Sequence, residues 1–317
     1  MQSEWENDSQ KHIKGAWITI GSFDGVHLGH QTIIKKLVEG SSHSHDLAIV
    51  VTFYPHPSKV LGGVNGRFYL TLPEEKDELL GDLGIDSVLT LHFSRALASM
   101  SAETFIRMLY NQLKFSCLLI GHDFRLGANR SGNIITLIEL GKELGYCVRS
   151  IDPFMQSAQT ISSTIIREMI KSGDVAGASK HLGHFYTVKG KVVHGDGRGK
   201  HIGLPTANLE IWKEKLLPQA GVYAAVAELK GQQYSSVVNI GYRPTFYDQP
   251  DQQTVEAYLL NFSQEIYDEE MRLDFVQHIR PERKFSSADE LMRQIKQDID
   301  QSREVLSHDP AKTNLPT

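Results

Sequence analysis

The sequence predicts two domains: an α/β domain with a parallel sheet, then a compact antiparallel β-barrel closed by a C-terminal helix. Three observations carry this reading. The chain has 317 residues, enough for two ordinary domains with a core each. Up to about residue 184, short β-rich apolar runs alternate with amphipathic helical patterns, the signature of a parallel sheet with helices on both faces. From residue 185 on, strand-like runs follow one another through Gly, Pro and Asp turns with no long helix between them.

In the first part, the runs at 16–20, 47–53, 87–91, 116–120 and 146–151 read as buried parallel strands. Between them lie helical candidates at 31–39, 73–83, 102–113 and 133–144, with Ser101 as an N-cap of the third. In the second part, 185–193, 222–229, 234–240, 254–260 and 272–278 read as strands. A helix at 287–303 carries Leu291, Ile295 and Ile299 at helical spacing. The expected domains are therefore 14–184 and 185–306, with 307–317 a frayed polar tail. A fragment spanning 185–301 is expected to fold alone.

Composition narrows the function classes. The net charge of −5 argues against broad nucleic-acid binding, though basic pockets for phosphates remain open. The two cysteines, Cys117 and Cys147, form neither a disulfide framework nor a zinc pattern and are expected as buried free thiols. Residues 1–14 are polar and no apolar run approaches a membrane span, so a cytoplasmic protein without membrane contact is expected. His43 and His45 in SSHSHD read as a solvated loop.

The stretch AWITIGSFDGVHLGHQ (16–31) is a strand, a Gly-rich turn and a helix starting near Gly29. His27 and His30 are three apart, so at a helix start both imidazoles face one side, where exposed N–H groups and the positive helix end attract phosphate. Gly25 and Gly29 let a nucleotide approach the backbone closely. Alone, H-x-x-H is as readily a metal pair or a helix surface; the strand–turn–helix setting favours phosphate chemistry. The echo HLGH at 181–184 ends a helical stretch and reads as coincidence. In ISSTIIR (161–167), Ser162, Ser163 and Thr164 lead into a helix with Arg167 one turn in, a second anion cradle whose plain alternative is an N-cap.

GSFDGVHLGHQ, GHDFRLG (121–127) and ISSTIIR, in this order, resemble the adenylyltransferase domain of the bacterial bifunctional riboflavin kinase/FMN adenylyltransferases, or FAD synthetases. The resemblance implies a Rossmann-like nucleotidyltransferase domain that joins FMN to AMP from ATP and releases pyrophosphate. It places the ATP phosphates against His27 and His30, with Gly21, Phe23, Gly25 and Gly29 in the same turn. Ser163, Thr164 and Arg167 would bind the leaving phosphates, while Asp24, Asp123 and Phe124 would shape the flavin pocket. FMN's phosphate is already an anionic nucleophile, so positioning and charge stabilisation suffice. Leu126 stands where the family more often has Phe, which bears on pocket shape.

In KGKVVHGDGRGKHIGLPTANL (189–209), Gly195, Gly197 and Gly199 alternate with Asp196 and Arg198 and precede Lys200. Their N–H groups suit a phosphate, and a hairpin tip fits equally well. A Walker A loop is excluded by His194 and His201, and a dinucleotide fingerprint by Lys200. In an extended chain Thr206 and Asn208 share a face and offer a hydroxyl and an amide oxygen, hard ligands that suit Mg²⁺ beside nucleotide phosphates.

The GDGRGKHIGLPTANL segment, then GVY, VVNIGYRPTF, TVEAYLL and RPERKF, resemble the riboflavin kinase domain of the same family, so the likeness covers about residues 14–306. It implies Glu256 as the base for riboflavin's neutral terminal hydroxyl, phosphate contacts from the glycine loop and Lys200, and Mg²⁺ at Thr206 and Asn208. Tyr258 and Asp268 depart from the usual His and Gly. The expected function is ATP-dependent phosphorylation of riboflavin to FMN and adenylylation of FMN to FAD. Two alternatives stand beside it: retention of one activity, the adenylyltransferase before the kinase, or a non-catalytic flavin-binding regulator.

Overall fold

The computed structural model describes residues 15–152, 155–156, 159–195, 205–242 and 253–307, with the backbone alone at 155–156 and 159–160. Residues 1–14 and 308–317, which include all of the expected tail except Ser307, lie outside this set. Contacts divide the chain into two compact units. One comprises the chain to Val64 together with Pro73–Thr160; the other comprises Asn65–Leu72 and the chain from Ile161.

The first unit is a parallel five-stranded sheet built of β1 (Ala16–Ile20), β2 (Leu47–Tyr54), β3 (Ser87–His92), β4 (Cys117–Gly121) and β5 (Cys147–Ile151), in the order β3-β2-β1-β4-β5. Helices α1 (Leu28–Ser44), α2 (Pro57–Gly62), α3 (Pro73–Asp82), α4 (Arg95–Ala98), α5 (Ala102–Leu113) and α6 (Ile134–Leu144) connect the strands. A hairpin of β6 (Met155–Gln156) and β7 (Gln159–Thr160) follows. Alternate residues of β1 enter opposite cores: Ile18 packs with Phe105, Leu109 and Leu137, and Trp17 with Ile34, Leu37 and Leu80. Helices therefore cover both faces, as the period of a strand requires. The Ser101 hydroxyl caps α5 by accepting from Thr104 N at 3.1 Å, as expected.

Two expectations are corrected here. The central strands β1, β2 and β4 are buried, but β5 is a sheet edge and largely exposed, because strand order and not composition decides which strand lacks a neighbour. Cys117 and Cys147 are not free thiols: they are register partners on β4 and β5 and are joined by a disulfide.

The second unit contains α7 (Ser163–Lys171), α8 (Val175–Leu182) and a closed antiparallel barrel. The barrel strands are β8 (Tyr186–Val193), β9 (Ala207–Ile211), β10 (Gly221–Leu229), β11 (Gln232–Tyr242), β12 (Gln253–Leu259) and β13 (Glu270–Pro281), in the order β10-β11-β12-β9-β8-β13. Helix α9 (Ala288–Ser307) packs on β10, β11 and β13. Strand β9, absent from the strands expected of the sequence, joins β8 to β12 and closes the barrel.

Asn65–Leu72 is a strap on this unit. Phe68 N and Tyr69 N donate to Glu214 O at 2.8 and 3.0 Å, and Leu216 N donates to Tyr69 O at 2.9 Å. Lys215, fully buried, donates from Nζ to Leu70 O at 2.7 Å, and Arg67 Nη1 donates to Lys215 O at 3.0 Å. The compact units thus differ from a split at 184/185, because α8 packs on β8 and β13 and the strap binds the 212–216 segment.

Candidate active sites

At the carboxyl end of β1 the chain enters a tight turn. Phe23, Gly25 and Val26 have φ of +48°, +81° and +37°, and Val26 N donates to Phe23 O at 3.1 Å. Only Gly25 adopts such a conformation without cost; for Phe and β-branched Val it is unusual and must be imposed by the surroundings. The turn delivers His27 to the N-cap of α1, where its Nδ1 accepts from His30 N at 3.3 Å. An accepting Nδ1 leaves Nε2 as the N–H donor of the neutral ring. The His27 and His30 rings stack at 3.6 Å with an interplanar angle of 15°, and Phe23 lies 5.0 Å from His30. Both imidazoles thus share one side at the positive end of a 17-residue helix.

A cavity of about 340 Å³ opens beside this turn. Gly21 and Ser22 from the turn line it, with Phe53, Phe93, Phe124 and Leu126 among its walls. Its aromatic lining suits a planar ring system. Of the residues expected in the flavin pocket, Phe124 lines the cavity, Asp24 is buried at 3% exposure outside the lining, and the Asp123 side chain is 84% exposed beside His122. His27 and His30 are not among the lining residues.

Ser163, Thr164 and Arg167 belong to the second unit. The N-cap of α7 is Ser162, whose hydroxyl accepts from Ile165 N at 3.4 Å. The Arg167 side chain is buried, donates from Nε to Phe68 O at 3.0 Å and lies over the Phe68 ring at 4.0 Å. The strap thus holds this guanidinium, a contact the ISSTIIR motif does not reveal.

In the barrel, Glu256 on β12 stands opposite Asn208 on β9 and opposite Asn239 on β11. Asn208 is also opposite Val193 on β8, just before the glycine loop. A Cβ on Gly195 would lie 2.1 Å from Asn208 Nδ2, so this glycine is required for the amide to pack where it does. Gly197, Gly199 and Lys200 lie outside the described residues.

A cavity of about 380 Å³ holds Thr206, Asn239 and Glu256 on one side and Leu291, Ile295 and Ile299 of α9 on the other. The helix thus does more than close the barrel. Its position is set by Asp298, which accepts from Arg280 Nε at 2.9 Å and Nη2 at 2.8 Å and from Gln294 Nε2 at 2.8 Å. Such bidentate pairs fix geometry as well as energy. Tyr258 lines the same cavity. A second cavity, about 270 Å³, lies against Thr206, Ala257, Leu259 and Tyr267, so Thr206 borders both. Asp268 accepts an ion pair from Lys191 at 2.8 Å, which draws its carboxyl below the usual carboxylate range.

Among the described residues no group of three or more His, Cys, Asp or Glu side chains is arranged to hold a metal, and no helix is long and apolar enough to cross a membrane. The FAD synthetase family model matches residues 9–165 and the riboflavin kinase family model matches residues 182–306. The bifunctional riboflavin kinase/FMN adenylyltransferase of Bacillus subtilis is 37% identical over 283 residues, covering 89% of each chain. That of Escherichia coli K12 is 36% identical over 300 residues, covering 94% of this chain and 95% of its own. The fold matches the crystal structure of a Streptococcus pneumoniae protein described as a macrolide-efflux protein, with a TM-score of 0.84, 29% identity and coverage of 91% and 94%.

Proposed function

The chain belongs to the bifunctional riboflavin kinase/FMN adenylyltransferase family, and on that footing we propose how its residues divide the two reactions. It is a riboflavin kinase and an FMN adenylyltransferase, a transferase that makes FMN and then FAD. In our reading ATP is the donor in both steps, Mg²⁺ accompanies the nucleotide, and the work is done in the cytoplasm.

The register of Glu256 against Asn208 carries the kinase assignment. Glu256 accepts the proton of riboflavin's terminal hydroxyl as that oxygen attacks the γ-phosphorus of ATP and ADP leaves. A neutral alcohol needs such a base. The Thr206 hydroxyl and the Asn208 amide oxygen fit Mg²⁺, a hard cation that takes few protein ligands when phosphates and water supply the rest. Bound there, the ion neutralises charge on the phosphates. The cavity bordered by Glu256 and α9 takes the flavin, and the smaller cavity across Thr206 takes the nucleotide.

In the adenylyl transfer, FMN's phosphate oxygen attacks the α-phosphorus and pyrophosphate leaves. The Nε2–H of His27 and the adjacent His30 are the donors to the phosphates, at a helix end that already favours anions. The aromatic cavity beside Gly21 takes the isoalloxazine ring. The test is incubation with riboflavin, ATP and Mg²⁺ followed by chromatographic separation of flavins. FMN and then FAD are expected; FAD only from supplied FMN would leave the adenylyltransferase alone, and no product would leave a flavin-binding protein.

A further inference from the structure

Lys76 lies on α3 in the stretch PEEKDELL, where a lysine among acidic neighbours would ordinarily sit in solvent. Its side chain is instead buried, at 7% exposure. The ammonium donates to the Thr52 hydroxyl at 2.9 Å and to the Ser22 carbonyl at 3.4 Å, and the Thr52 hydroxyl donates to that same carbonyl at 3.1 Å. Thr52, on β2, is fully buried. A lysine and a threonine from two elements thus converge on the carbonyl that opens the turn between β1 and α1.

That turn is the one with positive φ at Phe23 and Val26, and such backbone persists only where neighbouring structure over-determines it. Downstream, the same turn sets the N-cap at His27 and the stacked His30. Burial of an amine is unfavourable unless partners compensate. Burial holds the Lys76 ammonium below the ordinary lysine range, and the Asp24 and Asp77 carboxylates offset part of that.

We propose that Lys76 is a positioning residue for FMN adenylylation: through Ser22 and Thr52 it holds the turn that aims His27 and His30 at the nucleotide phosphates. The proposal rests on the assignment of those histidines to the phosphates. Lys76 does not touch substrate; it acts through the Ser22 carbonyl. A small displacement of positioned groups is enough to slow a transfer by one to two orders of magnitude.

The experiment uses the full chain as wild type, Lys76→Met, Thr52→Val and His30→Ala. FAD formation is measured with FMN and ATP varied, FMN formation from riboflavin is measured in the same preparations, and thermal melts report folding. Lys76→Met is expected to lower kcat for FAD about 10- to 100-fold with KM for FMN within about threefold, and Thr52→Val to act in the same direction by less. FMN formation is expected to stay unchanged in both. A Lys76→Met kcat within twofold of wild type overturns the proposal, as does a loss that merely tracks the unfolded fraction. If Lys76→Met does not fold, an unchanged kcat in Thr52→Val overturns it. Loss of FAD formation in His30→Ala but not in Lys76→Met removes the Lys76 role alone; full activity in His30→Ala removes the phosphate assignment and the proposal with it.

Discussion

Glu256 and Asn208 face each other directly across neighbouring strands of the barrel. Residues in register on adjacent strands project to one face, so the proposed base and the proposed metal ligand are set side by side by backbone pairing and not by a loop. Asn239 flanks Glu256 on the other strand.

Asn208→Ala is therefore expected to raise the Mg²⁺ concentration needed for half-maximal FMN formation by about tenfold or more, the scale of lost metal-site support. FAD formation from supplied FMN is expected to keep its own Mg²⁺ dependence. Gly195→Ala is expected to act in the same direction, since its Cβ would meet Asn208 Nδ2 at 2.1 Å. Titration of Mg²⁺ in both assays checks this.

His30→Ala is expected to slow FAD formation by about 10²-fold, the scale of one lost transition-state donor, while riboflavin phosphorylation continues near normal. Equal loss of both activities would point to misfolding.

The barrel is expected to depend on chain outside it. A fragment starting at residue 185 lacks the strap, so the fully buried Lys215 ammonium loses Leu70 O and the Trp212 and Lys215 carbonyls lose Arg67. Losing a hydrogen bond made by a charged group costs about 1.5 to 3 kcal/mol. Urea unfolding is expected to show the 185–307 fragment less stable than the barrel of the intact chain, with Lys215→Met recovering part of the loss in the fragment. Equal midpoints would show the strap to be dispensable.

The strand–helix alternation of the first unit was legible because the central strands β1, β2 and β4 are apolar runs and Ser101 marks the start of α5. The placement of His27 and His30 on one side was legible because three-residue spacing at a helix start is a local property. What depends on strand order was not. The exposure of β5 and the Cys117–Cys147 disulfide follow from which strands are neighbours, as does the pairing of Glu256 with Asn208, and no local pattern encodes that. Lys76 was illegible for a related reason. Its sequence neighbours are acidic, and its partners come from residues 22 and 52. The pairing of the 65–72 strap with 212–216 is likewise long-range, and no local pattern marks it.

His278 on β13 packs on the Tyr223 ring at 4.8 Å, and burial pushes its imidazole below the ordinary histidine value. A lowered folded value means the unfolded chain takes up the proton first. Stability is therefore full above about pH 6.5 and is lost as pH falls through the folded value. Melting of the second unit is expected at a lower temperature at pH 5.5 than at pH 7.5, with His278→Gln narrowing the difference. An unchanged difference would remove His278 as a cause.

Glu256→Gln keeps the size and most hydrogen bonding of the side chain but cannot take a proton at neutral pH. FMN production by this variant and by wild type, at saturating riboflavin, ATP and Mg²⁺, is to be compared with FAD formation from supplied FMN in the same preparations. A fall in FMN production of about 10²- to 10⁴-fold is expected, the range for a lost general base, with FAD formation unchanged. FMN production above about a third of the wild-type rate, or a parallel loss of both activities, would contradict a kinase site built on Glu256 and separate from the adenylyltransferase.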